Sequence, residues 1–176
     1  MNRIVKNRIA ALSHLTLALF LSTATLPALA ESAVSAPHPN PRSVVTENVS
    51  HADFNVTLKT LKEQLVSDGW TLLTEIDLAK RLATKNVIIP GGMVILELTS
   101  GGNTVALLKN EETRYIAGLM PCSVSVYGMS DGRVIISRMN AGLLNSLLEP
   151  RVAEVMAKSA AKLDTSIANT LAKISK

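Results

Sequence analysis

The sequence predicts an α+β fold, an antiparallel sheet of about four to five strands with helices packed on one face, and three observations support this. Runs rich in Val, Ile and Leu alternate along the chain with stretches whose apolar residues recur at helical spacing. Two of the strand-like runs, Leu119 to Tyr127 and Arg133 to Met139, flank Gly128-Met-Ser-Asp-Gly132, the composition of a hairpin turn. The chain closes on a long amphipathic helix that begins near Pro150. At 176 residues, 47% of them hydrophobic, the chain is long enough for one such domain and too short for two. Seven Pro and nine Gly are too few for a disordered or collagen-like chain, and a single Cys excludes an intramolecular disulfide framework.

Residues 1–30 read as a secretory signal peptide. Arg3, Lys6 and Arg8 precede an apolar stretch from Ile9 to about Leu21, and Ala28 and Ala30 suit peptidase cleavage after Ala30. The apolar stretch is shorter than the roughly 20 residues that a membrane span needs, so no stable span is expected once it is removed. The expected location is the periplasm or the secreted fraction. This segment holds three of the 18 basic residues and none of the 14 acidic ones, so the remainder carries +1 and not +4. A near-neutral chain with one Trp, two Tyr and two Phe offers neither a basic footprint nor a stacking platform, and nucleic acid is not an expected partner.

Residues 31–42 carry Pro37, Pro39 and Pro41 and read as a flexible leader, which leaves 43–176 as the single domain. Ser43 to Ser50 is the first strand. Asp53 caps a helix whose Phe54, Leu58, Leu61 and Leu65 share one face, and Gly69 ends it. Trp70 to Ile76 is a second strand with Trp70, Leu72 and Ile76 on one side and Leu73 on the other. Asp77 caps a short helix through Leu82. Gly91-Gly92 opens a third strand, Met93 to Leu98, apolar on both faces and hence central. Asn103 to Asn110 is a short helix, and in the hairpin that follows, Asp131-Gly132 supplies the positive φ angles. The terminal helix carries Val152, Met156, Leu163, Ile167, Leu171 and Ile174 on one stripe and should cover the sheet. At 1.5 Å per residue it would be about 38 Å long, and any overhang could pair with a second subunit to form a homodimer.

The familiar catalytic signatures are absent: there is no Gly-x-Ser-x-Gly elbow, Walker loop, His-Glu-x-x-His or Cys-x-x-Cys. Beyond the signal segment the only histidines are His38, in the leader, and His51, at a strand end. No metal site and no cofactor are expected. Glu75 and Asp77 lie two apart on one face of a strand, close enough to perturb each other's ionisation, although a helix cap at Asp77 and a solvated strand residue at Glu75 explain them more economically. The glycine pairs Gly91-Gly92 and Gly101-Gly102 suit tight turns more than an anion site. Cys122 is a lone thiol in a chain bound for an oxidising compartment, so it should be packed inward or used. Alternation places it with Val124 and Val126 on the apolar face, which favours burial.

A Gly69-terminated helix, then Trp70-Thr-Leu-Leu-Thr-Glu75-Ile76-Asp77-Leu78, and later Leu119-Met120-Pro121-Cys122-Ser-Val-Ser-Val-Tyr127 before Asp131-Gly132, resembles domain of unknown function 302. The resemblance covers about Val45 to Leu171. It implies helices on one face of an antiparallel sheet, in outline like the helix-grip and TATA-binding-protein-like architectures, and it makes dimers plausible. It supplies no reaction. The positions that match its motifs, Glu75, Asp77, Pro121, Cys122 and Tyr127, are the candidate site residues. The sequence departs from the resemblance at Leu98-Thr-Ser-Gly-Gly102, where many members carry a Cys or Asn-Pro.

Three functions are compatible with this reading. The leading one is a non-enzymatic module that binds a small apolar ligand, an amphiphile or a partner between the sheet and the terminal helix. The others are a thiol-based redox, metal or haem-handling protein using Cys122, and an enzyme using Glu75 and Asp77.

Overall fold

Val, Ile and Leu at alternate positions give five strands, and these pair into one antiparallel sheet. A computed structural model describes residues 44–175, so the segments read from the sequence as a signal peptide, 1–30, and a leader, 31–42, lie outside the described residues. In chain order the elements are β1 (Val45–Ser50), α1 (Phe54–Ser67), β2 (Thr71–Asp77), α2 (Leu78–Ala83), β3 (Met93–Thr99), α3 (Gly101–Leu108), β4 (Cys122–Gly128), β5 (Val134–Met139) and α4 (Pro150–Ile174). Turns of 3-10 helix occupy Glu111–Leu119 and Ala141–Leu144. The strand order is β1-β5-β4-β3-β2, with β4 at the centre and β3 beside it, covered on both edges.

The register explains which residues meet the helices. Val94, Leu96 and Leu98 of β3 lie opposite Val126, Val124 and Cys122 of β4, and Val124 and Val126 lie opposite Arg138 and Ile136 of β5. This row forms the helix-covered face. Leu61 and Leu65 of α1, Leu163 and Ile167 of α4, and Trp70 close over it as the main core. Leu96 and Ile136 are wholly shielded from solvent. A second, smaller core of Leu107, Ile116, Val152 and Met156 joins α3 and the 3-10 turn to the first half of α4. The terminal helix therefore spans both cores, as its apolar stripe requires. Among the described residues no helix is long and apolar enough to cross a membrane.

The cap at Asp53 forms as the sequence suggests, its carboxylate accepting from the Val56 amide at 2.9 Å, and Asp77 caps α2 by accepting from the Lys80 amide at 2.8 Å. Three expectations are corrected. A β-bulge between Leu72 and Thr74 shifts the register of β2, so Ile76 pairs with Ile95 and lies on the opposite face from Leu72. The short helix after β3 starts two residues early, at Gly101, and a separate 3-10 turn carries Leu119, so β4 begins at Cys122. In the hairpin only Gly132 adopts a positive φ, of 87°, and Asp131 instead accepts from the Arg133 amide. The Met129 carbonyl accepts from Gly132, and Met129 donates to Arg133, which makes this a longer turn than a two-residue one.

The Gly91-Gly92 pair has a structural explanation. A Cβ built on Gly91 would lie 2.8 Å from the Gly128 Cα, and the Gly128 amide donates to the Gly92 carbonyl at 3.0 Å. Two backbones touch there, and neither position has room for a side chain.

Candidate functional site

The sheet divides at one end. Pairing between β4 and β5 stops at Val124 and Arg138, yet β4 continues along β3 as far as Cys122, and β5 continues along β1 to Met139. The Asn140 amide then donates to the Val44 carbonyl at 2.9 Å, holding this strand end away from β4. Beneath the split, α4 presents Ser159 and Ala160 between the larger Met156 and Leu163. Small side chains under a parted sheet leave space, because neither layer can fill the gap.

The result is a cavity of about 760 Å³. Its apolar wall includes Met156 and Leu163 on the α4 side and, through the parted strands, Val45, Ile76 and Met139 on the uncovered face, and Met120, Pro121 and Cys122 also line it. The volume falls in the ~300–1,000 Å³ range of small-molecule sites, and apolar walls with few polar groups are the usual lining of such sites.

The charged side chains of Glu97, Arg138 and Asp164 and the hydroxyls of Ser123, Ser125, Ser137 and Ser159 also line the cavity. Arg138, 9% exposed, donates from Nε to Asp164 Oδ1 at 2.6 Å and from Nη1 to Asn48 Oδ1 at 2.7 Å. One guanidinium thus ties β5 to β1 and to α4, and burial of its charge is compensated by this pairing. Glu97 of β3 accepts from the Ser123 hydroxyl through Oε1 at 2.9 Å. Its Oε2 is buried and has no hydrogen-bond partner.

Cys122 is half-buried, lies opposite Leu98 and packs against the main core, so the thiol faces inward as alternation suggests. Burial first, and the Glu97 carboxylate second, push its pKa up from the ordinary thiol value. That favours the neutral thiol over the nucleophilic thiolate, the opposite of an activated cysteine. Among the described residues no cluster of three or more His, Cys, Asp or Glu could hold a metal ion.

The remaining candidates lie elsewhere. Glu75 pairs with Lys62 of α1 at 2.5 Å, Asp77 is engaged as the α2 cap, and neither lines the cavity. Tyr127 is on the uncovered face, where its hydroxyl donates to Glu47 Oε1 at 2.5 Å. The structure therefore gathers Pro121 and Cys122 at one site and leaves Glu75, Asp77 and Tyr127 out of it. Glu97, Arg138, Asp164, Ser159 and Ala160 are among the cavity residues that sequence reasoning misses. A charge inside an otherwise apolar strand, as in Val-Ile-Leu-Glu97-Leu and Ile-Ile-Ser-Arg138-Met, is the signal that could have found two of them.

Burial, and then the Glu47 hydrogen bond, raise the Tyr127 pKa to about 12. The neutral phenol is the favoured form, so this contribution to stability is complete below pH ~10 and is lost as pH rises through about 12. In a Tyr115→Phe variant the ultraviolet titration of the remaining tyrosine should have its midpoint near 12, and Glu47→Gln should lower it. A midpoint near 10 would contradict the Tyr127–Glu47 bond.

A five-stranded antiparallel sheet covered on one face by α1 and α4, with a side cavity at its split end, defines an α+β domain. The model of the family described as domain of unknown function DUF302 matches residues 45–171, and the chain belongs to that family. The crystal structure of an uncharacterized conserved DUF302 protein from Bacillus stearothermophilus is similar to it, with a TM-score of 0.64 and 21% identity, over 73% of this chain and 98% of that one. At that identity the likeness shows the fold alone. No curated protein matches the sequence.

Proposed function

We propose that the protein is an exported, non-enzymatic module that takes up one small apolar or amphiphilic molecule in the cavity between the split sheet and α4. The observation that carries this reading is the cavity itself: about 760 Å³ in a chain of this length, with a predominantly apolar wall. The engagement of Glu75 and Asp77 by Lys62 and the α2 backbone, and the raised pKa of Cys122, favour binding over acid–base or thiol chemistry. The basic, apolar and small-residue order of residues 1–30 supports export.

Titration of the purified protein with a fluorescent apolar probe tests this. Saturable uptake of one equivalent, displaced competitively by a medium-chain alcohol, is expected. Uptake that never saturates, or none at all, would contradict it.

A further inference from the structure

We infer that the cavity selects amphiphiles with an anionic head group, a fatty carboxylate being the simplest, and that Arg138 takes this head in exchange for Asp164. The inference rests on the ligand-binding reading of the same cavity and specifies the chemistry of its occupant.

Arg138 belongs to the last β4–β5 pair before the sheet parts, opposite Val124, and its bond to Asp164 of α4 places its guanidinium on the helix-covered side. The two members of this ion pair are unequally placed. The Arg138 side chain is 8% exposed and that of Asp164 56%, so a buried cation is held by an anion that stands largely in water. Unequal burial decides which charge can be given up. A carboxylate already half in water regains hydration when it turns away, whereas a buried guanidinium left without a partner is strongly destabilising.

A head group in the cavity can therefore replace Asp164 and cannot replace Arg138. The position it would take is within bonding distance of the guanidinium and open to the cavity, because the Asp164 side chain occupies that position, is half-exposed and lines the cavity. An incoming carboxylate can also improve on the present pairing. Nε and Nη2 both bear on the single oxygen Oδ1, 2.6 and 2.5 Å away, whereas the favoured guanidinium–carboxylate geometry uses two parallel bonds to two oxygens. Asn48 accepts from Nη1, so the exchange leaves the guanidinium anchored to β1. The same asymmetry ranks the other head groups lower. A cationic head could pair only with Asp164 and would strand Arg138, and a hydroxyl leaves the pair as it is. Glu97, the third charge of the lining, lies opposite Ser123 on the sheet face away from α4, so a head seated at Arg138 does not meet it.

Decanoate, 1-decanol and decylamine at neutral pH, each below its micelle concentration, form the test, with competition against the fluorescent probe as the readout. The purified protein should bind decanoate at least about tenfold more tightly than decylamine, the factor carried by one charge-assisted hydrogen bond, with 1-decanol between them. Asp164→Asn removes the competing carboxylate, so it should tighten decanoate about tenfold further. Arg138→Gln should abolish the preference for the acid, and in that background Asp164→Asn should have little effect. Equal affinities for acid and amine in the unsubstituted protein, or an Asp164→Asn effect that is the same with and without Arg138, would overturn the inference while leaving the cavity reading intact. Binding of none of the three would instead contradict the cavity reading and this inference with it. Should either variant fail to fold, a crystal structure of the unsubstituted protein with decanoate decides the matter. The ligand carboxylate on the Arg138 guanidinium, with Asp164 turned to solvent, is the expected result, and an intact Arg138–Asp164 pair with the ligand head elsewhere overturns it.

Discussion

Leu96→Ala is expected to lower the free energy of unfolding by roughly 3 kcal/mol, within the ~2–5 kcal/mol typical of such truncations in a core. Leu96 is 0% exposed, sits on β3 between Val124 of β4 and Glu75 of β2, and belongs to the cluster that α1 and α4 cover. Three layers of contact leave little freedom for collapse around the missing atoms, so both the transfer and the cavity contributions should be felt. Denaturant titration measures the change, and an unaltered m-value would show that only stability has moved. A domain with a typical stability of ~5–15 kcal/mol survives this loss but melts visibly earlier. A change below about 1 kcal/mol would mean that the helices do not press on the sheet as described.

Ala160→Trp should weaken ligand uptake at least about a hundredfold. Ala160 lines the cavity from α4, between Ser159 and the larger Leu163, and an indole there would occupy the space that a ligand needs. The substitution adds apolar volume to an existing void, so it should leave the thermal transition within a few degrees of its original value or raise it. Loss of uptake together with a normal transition separates occlusion from unfolding. Unchanged uptake would place the binding site somewhere other than under α4.

Much of this architecture is legible in the sequence because it is written locally. The spacing of Phe54, Leu58, Leu61 and Leu65 gives α1, the apolar run of Met93 to Leu98 gives a covered strand, and Pro150 with the stripe that follows gives α4 within a residue of its observed end. The inward direction of Cys122 follows from its parity with Val124 and Val126. The bulge at Leu73 is different in kind. One extra residue in β2 reverses every side chain after it, and the alternation of Trp70, Leu72 and Ile76 gives no warning, because β-bulges are set by pairing with a neighbour. The 3-10 turn at Glu111–Leu119 lacks the 3.6-residue period that reveals an α-helix.

The candidate site was less legible than the fold. Pro121 and Cys122 stand in a motif and are found from it, but the cavity exists because β4 and β5 part after Val124 and Arg138, which is a property of four paired strands together. Arg138 and Asp164 are 26 residues apart, and nothing local links them. Glu75 and Asp77 are neighbouring carboxylates, yet Lys62 and the Lys80 amide already engage them. Spacing within one strand reports which side chains share a face, and it does not report what the facing helix brings to them.

The most direct test of the account is a crystal structure of the protein with decanoate or 1-decanol bound. The account predicts an alkyl chain lying between α4 and the parted ends of β4 and β5, in contact with Met156 and Ala160. A helix seated flush on the sheet, with side chains filling that space and the ligand absent or bound elsewhere, would contradict it.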